Sequence, residues 1–246
     1  MQTAKPKIID VKNVGKSFGE RLVLRDVTMH VKHDEIVSVL GISGSGKTTL
    51  FHLIANMLLP DEGSIDTSIN IGYMMQKDLL MPWKTVIENV ALPLILRGEK
   101  KEDAYEKCES FFPKFGLAGT SNLYPQALSG GMRQRAALLR TYLQSGELFL
   151  LDEPFSSVDA MTRHQLHKWL LDIKAELSLS ILLITHDIEE ALILSDRIYV
   201  LAGAPAGMVE EIDLSMFKDN KSDDNYKTSL NRARERIYEI LDSEMN

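Results

Sequence analysis

Cysteine is nearly absent from this chain: its 246 residues include one, Cys108. No internal disulfide can form, so the fold must rest on its own core, and a reducing compartment is expected. Cys108 lies among helix formers in KEDAYEKCESFF and is expected to pack rather than react. Long apolar runs are missing as well. The longest, such as SILLIT and LFLL, fall far short of the roughly 20 residues that span a bilayer, so any membrane role is expected to come through a partner. The amino-terminal MQTAKPKIID has no apolar run and does not read as a secretory signal. Excess positive charge is the third absence. With 28 Lys and Arg against 35 Asp and Glu, the net charge is −7. A protein that coats nucleic acid needs a cationic face, so no nucleic-acid partner is expected. Repeats and low-complexity tracts are lacking too. What remains, 44% hydrophobic and 26% charged, is globular composition at a length that can bury a sizeable core.

The first third reads as short strands at 8–14, 23–31 and 35–41, then a helix from Lys47 to about Met57 and two more strands within 63–76. From about Thr85 the pattern turns helical, at 85–97, 101–115 and 130–144, punctuated by Gly98, Gly116 and the loop LYPQALSGG. Strand–helix alternation returns with ELFLLDE, a helix over 160–177, SILLITH and RIYVLAG. That helix sets Leu166, Trp169, Leu170, Ile173 and Leu177 on one face. The layout predicts an α/β core with parallel strands, interrupted by a helical insertion at about 85–143. Residues 1–217 form the expected main domain. The polar hinge KDNKSDDN (218–225) leads to a last helix at about 228–242, with Leu230, Ala233, Ile237 and Leu241 in one stripe that is expected to dock on the chain's own core.

Two glycine-rich stretches carry the chemistry. GISGSGKT (41–48) follows an apolar strand and opens a helix, the context that the G-x-x-x-x-G-K-[ST] pattern requires. Gly41, Ser43, Gly44, Ser45, Gly46 and Thr49 belong to a cradle whose backbone amides curl around phosphate oxygens. Lys47 is expected to reach the β- and γ-phosphates and Thr48 to ligate Mg²⁺. The second metal-side group is expected from LFLLDEP: Asp152 positions Mg²⁺, and Glu153 orients or deprotonates an attacking water. The other glycine stretch, LSGGMRQR (128–135), puts Ser129, Gly130 and Gly131 at the free amino end of a helix with no lysine of its own. One nucleotide does not need two such ends in one subunit. Two subunits head to tail would each lend this end to the other's γ-phosphate.

These residues resemble the nucleotide-binding subunits of ATP-binding cassette (ABC) transporters, across nearly the whole chain. GISGSGKT looks like the Walker A loop, LFLLDEP like Walker B and LSGGMRQR like the family signature. Gln76 in YMMQ matches the Q-loop glutamine, which in the family also approaches Mg²⁺, Asp159 in SSVD the D-loop, and His186 in LLITHD the switch histidine. Phe18 falls where the family places an aromatic ring against adenine. Ser157 and Val158 stand where the D-loop usually has alanine and leucine.

The resemblance implies a P-loop ATPase with a RecA-like core, an amino-terminal antiparallel β subdomain and an inserted α-helical subdomain. It implies a homodimer, or a pair with a paralogue, sandwiching two Mg-ATP molecules between Lys47 and Thr48 of one subunit and Ser129 and Gly131 of the other. It further implies membrane permease subunits, a solute-binding protein acting through them, and a place on the cytoplasmic face of the membrane. The region entered by Gln76 receives a permease helix in the family, with Met81 and Trp83 as candidate groove residues. LMPW with TVIENVALPL is similar to the branch importing nitrate, sulfonates, taurine or thiamin precursors, with Met81 replacing the usual leucine. The main alternative is a non-transport ABC-type ATPase acting on ribosomes or DNA, which calls for tandem cassettes or long coiled-coil insertions. A binding module without turnover is expected to lack Glu153 or His186. Both are present.

Overall fold

The structure, a computed structural model, describes residues 5–215 and 224–243. It divides into two compact units, Met1–Ile69 with Ser180–Asn246, and Asn70–Leu179.

The first unit opens with an antiparallel sheet of β1 (Lys7–Phe18), β2 (Arg21–Lys32) and β4 (Glu62–Thr67), in the order β2-β1-β4. β1 and β2 form a hairpin closed at Phe18↔Arg21, where Gly19 takes the positive φ (61°) that a two-residue turn demands. β3 (Ile36–Leu40), β7 (Ser180–Thr185) and β8 (Arg197–Ala202) are parallel, with β9 (Gly207–Asp213) antiparallel to β8. Every residue of β3, β7 and β8 is buried, as both-face coverage of parallel strands requires. The register sets Leu40 opposite Thr185, so the carboxyl ends of β3 and β7 are neighbours. α1 (Lys47–Ile54) and α7 (Ile188–Leu194) start just beyond those two ends.

α8 (Asp224–Ser243) closes the unit. Its Ala233 and Ile237 pack into a cluster with Leu40, Ile188, Leu192, Ile198 and Val200, flanked by Leu230, Ile240 and Leu241. This is the apolar stripe read from the sequence. Arg234 forks onto Glu189 of α7 at 2.5 and 2.9 Å, and Arg236 reaches Glu210 of β9 at 2.9 Å. Such exposed pairs add little beside the apolar contact. Ile237 is fully buried, so Ile237→Ala is expected to cost about 2–5 kcal/mol, read by chemical denaturation. The predicted hinge lies outside the described residues up to position 223, and α8 begins at Asp224, earlier than the 228 expected.

In the second unit β5 (Ile71–Met74) runs parallel to β6 (Leu148–Asp152), with Met74 opposite Leu151. Its helices are α2 (Val86–Val90), α3 (Leu92–Leu96), α4 (Lys101–Phe111), α5 (Gly130–Ser145) and α6 (Ala160–Leu177). The single helix expected over 85–97 is two, broken at Ala91 because Pro93 in the next turn cannot donate to the ladder. The helix expected to 115 ends at Phe111, just before Pro113. α6 buries Leu166, Leu170 and Ile173, while Trp169 lies against Phe115 and donates its indole N–H to Lys114 O at 3.3 Å. Cys108 is fully buried in α4, and burial pushes its thiol up to about 12. Among the described residues no helix is long and apolar enough to cross a membrane.

Candidate functional site

The phosphate cradle leaves β3 and enters α1. Gly46 caps the helix with φ 92°, and a Cβ there would sit 2.9 Å from Leu24 Cδ2, so only glycine fits. Lys47 is buried, and its ammonium donates to Gly41 O at 2.8 Å and Ile42 O at 2.7 Å. It lies folded over the loop it belongs to. Ser45 Oγ is buried with no hydrogen-bond partner. A buried hydroxyl without a partner is costly, and a phosphate oxygen would satisfy it. Thr48 is exposed at the helix start, and the first turn of α1 holds no acid that would compete with an anion. These features fit a triphosphate. Ser43 and Gly44 are exposed and Thr49 half-buried along the same turn.

Two further predicted residues lie in this unit. Phe18, at the hairpin tip, is 49% exposed, a large aromatic face offered to solvent. His186 is exposed in the two-residue link between Thr185 and α7. That link is fixed at its far side: Asp187 N donates to Thr185 Oγ1 at 2.9 Å, and the Asp187 carboxylate caps α7 by accepting from Glu190 N at 3.1 Å. Since β3 and β7 end side by side, the cradle and His186 leave neighbouring strand ends, the edge of an α/β sheet where ligands bind.

The second unit repeats this arrangement with different chemistry. β5 and β6 end side by side, so the chain leading to Gln76 and the Asp152–Glu153 pair emerge together. Gln76 Nε2 donates to Glu153 Oε2 at 3.2 Å. Asp152 is buried and accepts from the Tyr73 hydroxyl at 3.4 Å. Burial, then the Asp152 charge, pushes the Tyr73 phenol well above its usual range, which keeps it a neutral donor. Glu153 has φ 45°, a left-handed conformation that costs a non-glycine residue about 1–3 kcal/mol. Its carbonyl accepts from Ser156 N at 3.2 Å and Ser156 Oγ at 2.9 Å, which holds the turn. The side-chain oxygens of Asp152 and Gln76 are the donor type that a hard cation such as Mg²⁺ takes.

LSGG opens α5 as expected. Ser129 caps the helix, its Oγ accepting from Met132 N at 3.3 Å, which leaves its O–H to donate elsewhere. Gly131 is buried, and a Cβ there would meet Thr162 Cγ2 at 2.9 Å. α2, α4 and α7 each carry acids in the first turn; α1, α3, α5 and α6 carry none, and of these α1 and α5 are led by glycine. Asp159 caps α6, accepting from Met161 N at 3.1 Å and Thr162 N at 3.0 Å; a hydrogen bond from the Thr162 side chain, then that from Thr162 N, holds its carboxyl below the usual range.

Between Gln76 and α2 the chain is stiffened by two residues that sequence reasoning did not single out. Arg140 donates to Asp78 O at 2.6 Å and Leu79 O at 2.9 Å. Buried Asn89 accepts from Met81 N at 2.7 Å and donates to the carbonyls of Met81, Lys84 and Thr85. Held this way, Trp83 is 72% exposed and Leu79, at φ 47°, is 53% exposed. Met81 is half-buried. A cavity of 350 Å³ beside Leu79 is lined also by Lys77, Asp78, Arg133, Gln134 and Ser157. Tyr73 was missed as well; its signal was a tyrosine three residues before Gln76 on a strand paired with the one ending in Asp152.

The family model for ABC transporters matches residues 24–156. The chain is 49% identical to the formylaminopyrimidine import ATP-binding protein ThiZ of Halalkalibacterium halodurans, over 78% of each chain. The chain belongs to the ABC transporter family. The nitrate import ATP-binding protein NrtD of Synechocystis sp. is 36% identical, over 90% of this chain and 86% of its own. Among solved structures, the dimeric ATP-binding cassette MJ0796 bound to ADP and Pi superposes with a TM-score of 0.71 at 28% identity, covering 83% of this chain and 98% of that one. The fold is that of an ABC ATPase cassette, and the activity is that of the family's ATP-hydrolysing subunits. The non-transport alternative has no support among these relatives.

Proposed function

We propose that this ABC cassette powers import of a small solute through membrane permease subunits, from the cytoplasmic face, as a dimer that closes on two Mg-ATP molecules. The observation that carries the dimer is the pair of glycine-led, acid-free helix ends on α1 and α5, only one of which has a lysine. Lys47 and the cradle amides hold the β- and γ-phosphates, and Ser45 Oγ gains a partner. Ser129 O–H and the Gly130 and Gly131 amides of the other copy grip the γ-phosphate. Thr48, Asp152 and Gln76 are the residues for Mg²⁺, which neutralises phosphate charge when bound. Glu153 polarises the attacking water, and His186 contacts the γ-phosphate and holds water and Glu153 in geometry. Asp159 acts at the subunit contact and Phe18 stacks on adenine. Loss of the γ-phosphate removes the charge holding the second helix end, so hydrolysis reopens the dimer.

Residues 1–217 are the cassette in this reading, with the helical insertion at about 85–143, and 218–246 an appendage. The exposed Leu79 and Trp83 on their stiffened loop suit an apolar permease helix. Trp83→Ala is expected to leave ATPase activity in solution intact while weakening permease association roughly 30-fold, measured by pull-down of the assembled complex. The cargo is proposed as a small solute of the nitrate, sulfonate, taurine or thiamin-precursor class, with a formylaminopyrimidine foremost because that relative is 49% identical. The test is reconstitution with candidate permease and solute-binding proteins of the same source. ATP-dependent uptake of a formylaminopyrimidine, outcompeting nitrate and sulfonates, is the expected result. ATPase activity indifferent to any permease would remove the importer reading.

A further inference from the structure

Phe18 does not stand alone at its hairpin tip. The Lys16 ammonium lies 5.8 Å from the centroid of the Phe18 ring, within cation–π range. The Lys16 side chain is only 14% exposed, so the cation is held beneath the ring rather than waving in solvent. Its position is fixed by two acceptors, Asp61 Oδ1 at 2.7 Å and Leu59 O at 2.8 Å. The other carboxylate oxygen of Asp61 accepts from Ser17 N at 2.7 Å, and Asp61 N donates to Gly15 O at 3.0 Å. One carboxylate thus clasps both residues that precede Phe18. The hydrogen bond from Lys16, followed by that from Ser17, holds the Asp61 carboxyl below its usual range.

We infer that Lys16, anchored by Asp61, is a positioning residue that tunes and orients Phe18 for the adenine ring. The inference rests on Phe18 as the adenine platform. The cation draws π-electron density toward its own side, leaving the outer face less negative and better matched to an electron-rich purine. The same contact stops the ring from turning down onto the strand, so less freedom is lost when the base stacks. Neither effect reaches the triphosphate, which is held by the cradle.

Equilibrium titration with ATP and, separately, inorganic tripolyphosphate isolates the base contribution, with EDTA present to suppress turnover. Lys16→Met, which keeps the stem and loses the charge, is expected to weaken ATP binding roughly three- to tenfold and leave tripolyphosphate binding unchanged. Lys16→Arg should restore ATP binding, and Asp61→Asn should fall between. Phe18→Ala is the control, expected to weaken ATP alone. If Phe18→Ala has no effect on ATP, the platform reading fails and takes this inference with it. If Phe18→Ala weakens ATP but Lys16→Met does not, only the role of Lys16 is overturned. Equal weakening of both ligands by Lys16→Met would also overturn it, since the cation would then act on the cradle or the phosphates.

Discussion

Glu153→Gln is expected to lower ATP turnover by roughly two to four orders of magnitude while ATP affinity is retained. The substitution keeps shape and volume, and its amide oxygen can still accept from Gln76 Nε2, now 3.2 Å from Glu153 Oε2. What it loses is basicity toward water. With γ-phosphate loss as the proposed opening step, the variant should accumulate as an ATP-bound dimer, visible by size-exclusion chromatography with light scattering. Near-normal hydrolysis by the variant would take the base role away from Glu153. Glu153 also keeps a left-handed φ of 45°, a conformation costly for glutamate that the substitution leaves unchanged.

The second large effect concerns Lys47. Its ammonium now donates to Gly41 O and Ile42 O, and with ATP it would exchange those acceptors for phosphate oxygens. Lys47→Ala should weaken ATP binding roughly 10- to 100-fold, the worth of a charge-assisted hydrogen bond, and abolish turnover. Ser129→Arg should block the opposite grip without touching the cradle. Each variant alone is inactive in this reading. Mixed in equal amounts, half of the dimers carry one complete composite site, so the rate should recover to roughly a quarter of the unmodified protein. An inactive mixture, with heterodimers shown to form, would refute the head-to-tail pairing.

Long, strongly patterned segments were legible in advance. α6 matches its predicted span, and β3, β6, β7 and β8 were visible as apolar runs because buried parallel strands need apolar faces on both sides. Short or atypical pieces were not. α7 spans seven residues, too few to show a helical period, and β9 carries Glu210, Glu211 and Asp213 on an edge strand. The motif residues could be singled out because they stand together in one order along the chain, and their roles are those proposed above. Their supports could not: Asn89 and Arg140 act through side-chain bonds to backbone that no periodicity encodes. The left-handed turn at Glu153 was equally hidden, since glutamate has no preference for it.

The lone thiol described above has a practical use. Cys108 is sealed inside α4 and stays protonated far above neutral pH, so maleimide and nitroxide reagents should pass it by. Paired probes could then be attached at engineered surface cysteines without first purging the native chain, giving a clean spectroscopic background for watching two copies approach and part during a catalytic cycle.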